Sequence, residues 1–77
     1  PQMSRNVVGP KIREARIKAN PVITQRDLAA RLEVLGLVID QTKVSKIELG
    51  IRPVYDYELS KIAKALKVSV GWLMEVE

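Results

Sequence analysis

In the stretch QTKVSKIELG, residues 41 to 50, four polar side chains recur at helical spacing: Gln41, Thr42, Ser45 and Lys46. At about 100° per residue they share one side of a helix, with Val44 and Ile47 together on the other. The polar face carries an amide, two hydroxyls and one ammonium group, so its chemistry is hydrogen-bonded recognition with one positive charge. Catalysis is a poorer reading. The chain has no cysteine and no histidine, which removes a thiolate nucleophile, a Ser-His-Asp triad, imidazole acid-base chemistry and the two commonest transition-metal ligands. Ser45 and Lys46 are neighbours on one helix and are badly placed to meet each other. No catalytic residue, metal or cofactor is expected.

A helix with so narrow an apolar face needs other elements to hold it. The 77 residues suffice for one small domain, and 47% hydrophobic against 29% charged residues is the balance of a folded globule. Without disulfides, packing must hold it. The periodicity is helical throughout, with no alternating run long enough for a strand, so the expected fold is all-α with five helices. The first runs from about Pro10 to Ala19, burying Ile12, Ala15 and Ala19, and Asn20-Pro21 stops it. Thr24 caps the second with Asp27 as the capping-box acid, and Leu28, Ala29 and Leu32 form its buried stripe. Gly36 ends it in the left-handed conformation, leaving Leu37-Val38-Ile39 as an apolar connector expected to fold back on the core. Asp40 caps the third helix and Gly50 stops it. After the Arg52-Pro53 turn, Asp56 caps a fourth helix burying Leu59, Ile62, Ala63 and Leu66. Ser69 caps a short fifth, in which Leu73 closes the core with Val70 or Trp72.

The net charge of +4 is unevenly spread. Residues 1 to 55 hold ten Lys or Arg against five Asp or Glu, whereas residues 56 to 77 hold three against four. The positive field belongs to the first two thirds, although a solvated basic surface alone explains such a balance. No apolar stretch approaches the ~20 residues of a membrane span, and no signal peptide is evident, so a cytoplasmic protein is expected. Pro1 and Gln2 precede Met3 and read as an expression remnant, residues 1–7 as an N-terminal arm and 8–77 as the domain.

A short capped helix, a connector and a polar-faced helix fit the description of a helix-turn-helix. Four pieces sharpen it: KIREAR, TQRDLAARL, VSKIELGIRP and LSKIAKALKVSVGWLM, in this order over roughly residues 8 to 74. With them the chain resembles the phage repressor and Cro-like (XRE-type) helix-turn-helix family. The resemblance implies a lambda-repressor-like five-helix bundle that binds double-stranded DNA, usually as a homodimer on a palindromic operator, with the third helix in the major groove. One departure is visible: the segment between Leu32 and Thr42 is longer than the family's usual tight turn.

On that reading Gln41, Thr42 and Lys46 contact bases. A Gln amide bonds adenine N6 and N7 together, and a Lys reaches guanine O6 or N7. Lys43 on the flank, Gln25 in the first turn of helix two and Arg52 beyond helix three would contact phosphates. The resemblance also pairs Glu48 with Arg16 as a structural salt bridge, and Trp72 reads as core or dimer contact rather than a ligand platform. The expected function is a sequence-specific transcriptional regulator, a repressor. The competing reading, from another class, is a protein-interaction module that binds a toxin or regulator with the same helical fold.

Overall fold

The computed structural model describes residues 8–75, so the proposed arm at residues 1–7 lies outside the described residues. Five helices follow in order: α1 (Val8–Lys18), α2 (Gln25–Val34), α3 (Gln41–Glu48), α4 (Asp56–Leu66) and α5 (Val70–Leu73). The all-α class is as expected. Helix α3 packs across α1 and α2, α4 lies beneath both α1 and α2, and α5 closes over α4 and α1.

The caps show how local chemistry sets these boundaries. Thr24 Oγ1 accepts from the Asp27 N–H at 3.0 Å and the Asp27 carboxylate accepts from the Thr24 N–H at 3.1 Å, a complete capping box. Gly36 follows α2 at φ 91°, a conformation a side chain would strain. Asp40 Oδ1 accepts from the Lys43 N–H at 2.9 Å to open α3, and Ser69 Oγ accepts from the Trp72 N–H at 3.0 Å to open α5.

The fourth helix differs from expectation. Its N-cap is Tyr55, not Asp56, because the buried Glu58 carboxylate reaches back to the Tyr55 N–H at 3.1 Å. Asp56 becomes the first helical residue, where a carboxylate still faces the positive end of the helix dipole. Helix α1 also begins earlier, at Val8. Pro10 fits within its first turn because amide hydrogens there have no intrahelical partner.

Ile12, Leu28, Leu32, Val44, Ile62 and Leu73 are each at most 1% exposed and form the centre of the core. Burying such a side chain contributes about 1.5–3 kcal/mol. Ala15, Ala19 and Ala29 sit half-buried at its margin, and Arg16 takes the buried place on α1. Leu37 and Ile39 of the connector turn into the core while Val38 stays 76% exposed, so the alternating backbone hides two of the three apolar residues. Two cations bind α2 to α4: Arg31 Nη1 donates to the Ala65 carbonyl at 3.1 Å and Lys61 Nζ donates to the Leu35 carbonyl at 3.3 Å. Each satisfies a carbonyl near the C-terminal end of the other helix, where positive charge is favoured.

Candidate nucleic-acid interface

The approach of α1 to α3 fixes the pose of the polar helix. A Cβ at Gly9 would stand 2.5 Å from the Ile47 carbonyl oxygen and 2.7 Å from that of Glu48, so only glycine lets α1 lie this close to the end of α3. Deeper in the same contact, Arg16 Nε donates to Glu48 Oε2 at 2.7 Å and Arg16 Nη2 donates to Oε1 at 2.9 Å, with Nη1 reaching the Ile23 carbonyl at 3.1 Å. The side chains are 10% and 3% exposed. The Glu48 hydrogen bond and charge raise the Arg16 pKa further, against the opposing effect of burial. Glu48 thus faces inward, although it is a charged residue on a short helix. The ion pair joins α1, α3 and, through Ile23, the approach to α2.

Opposite, Gln25, Gln41, Thr42, Ser45, Lys46, Leu49 and Ile51 line one open groove of about 450 Å³. Gln41, Thr42, Lys43 and Lys46 are exposed and Ser45 is half-buried. Among the described residues, Lys43 and Lys46 hold no ion pair. Lys43 stands outside the groove, on the flank of α3. Gln25 enters it from the first turn of α2, where the free amide hydrogens and the helix dipole favour an anion. Its Nε2 donates to Glu48 Oε1 at 3.1 Å, which ties the groove wall to the buried ion pair. The sequence gives no hint of that link beyond the residue types.

Arg52 is not brought into this groove. Its guanidinium donates to both Glu58 carboxylate oxygens, at 3.2 and 2.9 Å, and to the Pro53 carbonyl at 3.1 Å. Its pKa is raised by the Glu58 hydrogen bond, again against burial. For Glu58, burial pushes the carboxyl up, but the Arg52 hydrogen bond, the Tyr55 N–H and the Arg52 charge together leave it below its ordinary value. This second ion pair holds the turn between α3 and α4. The acid three residues beyond Tyr55 has capping-box spacing, which signals its bond to the Tyr55 N–H but not the pair with Arg52.

Leu49 and Ile51 are also unforeseen members of the groove. They are 70% and 65% exposed at its far end, where α3 stops. The groove therefore combines a polar, singly charged centre with an apolar end.

Comparison with known families supplies one result. The profile of a family described as helix-turn-helix, a class of DNA-binding transcription regulators, matches residues 12–73. No curated protein and no solved structure matches the chain. Among the described residues, no helix is long and apolar enough to cross a membrane.

Proposed function

Because the chain belongs to the XRE-type helix-turn-helix family, we propose that it is a cytoplasmic, sequence-specific DNA-binding regulator, a repressor that places α3 in the major groove. The observation that carries this reading is the exposed row Gln41, Thr42 and Lys46 in one groove with the start of α2. Gln41 and Thr42 occupy the first turn of α3, the part of a recognition helix that approaches base edges most closely. Gln41 offers the bidentate amide that adenine accepts, Thr42 a hydroxyl or methyl, and Lys46 a charged donor for guanine or a phosphate. Gln25 and Lys43 flank the groove as phosphate contacts. Arg52 contacts the backbone only in competition with Glu58, and its main role is to hold the turn.

One eight-residue helix reads few base pairs, so two copies related by a two-fold axis address half-sites about 34 Å apart on a palindromic operator. The test is selection of bound duplexes from a random pool. A single palindromic motif with that spacing is expected, and an unenriched pool contradicts the reading. The protein-interaction alternative rests on Leu49 and Ile51, whose exposed apolar side chains suit a protein surface. It takes the lead if the pool yields no motif.

A further inference from the structure

A second groove, of about 380 Å³, lies between the C-terminal ends of α2 and α4, and it shares no residue with the first. Arg31, Val34, Leu35, Lys64, Ala65 and Lys67 line it. We propose that this groove docks an acidic segment of a partner protein that carries an apolar anchor residue.

Three observations converge. The lining holds three cations and no carboxylate. Arg31 is engaged with the Ala65 carbonyl, and Lys61 alongside is engaged with that of Leu35. Lys64 and Lys67 are exposed and make no ion pair among the described residues. The charge available to a ligand is therefore theirs, and it calls for carboxylates.

The rest of the lining, Val34, Leu35 and Ala65, is apolar. Val34 is 86% exposed, the most exposed large apolar side chain among the described residues, with half-buried Leu35 beside it. Such a lining favours a ligand that brings an apolar side chain of its own. Unlike the first groove, its lining offers no amide or hydroxyl side chain to read base edges.

Lys67 supplies the third observation. It ends α4 at φ 60° and ψ 41°, the left-handed conformation in which glycine meets no steric penalty. Its side chain lines this groove at the end of α4, where a cation is also favoured by the helix dipole. The two grooves share no lining residue, and α2 runs from Gln25 at one to Val34 at the other.

The test uses a fluorescent peptide of repeating Glu-Glu-Leu-Phe, followed by anisotropy and by amide NMR shifts. Saturable binding is expected, with shifts centred on Val34, Leu35, Lys64 and Lys67. Lys64→Glu and Val34→Asp should each weaken it about tenfold. Both positions are solvent-exposed, so the variants keep the fold, and melting curves verify it. A polyglutamate peptide of equal length should bind clearly more weakly. Equal binding of the two peptides, shifts centred on the α3 face, or displacement of the peptide from this groove by an unrelated DNA duplex would each overturn the proposal.

Discussion

Replacing Arg16 by alanine tests the frame on which α3 is mounted. The substitution removes two hydrogen bonds to the Glu48 carboxylate, at 2.7 and 2.9 Å, and one to the Ile23 carbonyl at 3.1 Å. Glu48, whose side chain is 3% exposed, is then left with the Gln25 amide as its remaining side-chain donor. A charge-assisted bond contributes about 1.5–3 kcal/mol, but the two to Glu48 share one guanidinium and do not add fully. Stranding a buried charge costs about 3–5 kcal/mol, and partial water access to the 10%-exposed Arg16 site places this case at the lower end. The expected loss is about 3 kcal/mol, a large part of the stability of so small a domain. At roughly 4–8 °C per kcal/mol the midpoint falls by about 12–24 °C. Thermal and urea melts of Arg16→Ala, Glu48→Ala and the double variant complete the cycle. A coupling of about 2 kcal/mol or more is expected, nearly unchanged in 1 M salt because a buried pair is weakly screened. Additive losses, or a coupling that vanishes in salt, would show that Arg16 and Glu48 do not act as a buried pair.

Gly9→Ala forces a Cβ against the Ile47 and Glu48 carbonyls and should destabilise by about 1–3 kcal/mol in a urea melt, although alanine is the better helix former. The Glu58 carboxyl lies below its ordinary 4.5 in the fold, so its ion pair adds stability above that pH and loses it as pH falls through the folded value. Melts below pH 5 should therefore show a falling midpoint, and Glu58→Gln should start lower at pH 7 and fall less steeply. Asp40→Ala removes the α3 cap and should cost about 1 kcal/mol in a thermal melt. Arg52→Ala should lower the melting midpoint while changing the salt slope of DNA binding by less than the full unit expected for a lost phosphate contact.

Where a boundary depends on neighbours a few residues apart, the sequence is readable. Thr24 with Asp27, Asp40 before α3, Ser69 before α5 and glycine at position 36 all act locally. The start of α4 is harder because acids at both 56 and 58 offer a cap. The choice falls to Glu58 because Arg52, across the turn, holds its carboxylate next to the Tyr55 N–H. Contacts that depend on how helices cross leave no local pattern. The Arg31 and Lys61 bonds between α2 and α4, the Gln25 to Glu48 link and the close approach at Gly9 are of this kind. For the candidate interface, helical spacing alone puts Gln41, Thr42 and Lys46 on one face. Leu49, four residues after Ser45, continues that face at the same spacing, whereas Gln25, expected there only from the resemblance, and Ile51 join the groove through the packing of the fold.

Whether the exposed face of α3 reads bases is decided by the affinity of Gln41→Ala for the selected operator and for unrelated duplex at one fixed salt concentration. A loss of roughly 1–3 kcal/mol on the operator is expected, with affinity for unrelated DNA almost unchanged. Equal losses on both duplexes, or none on either in a folded variant, would contradict base reading by this face.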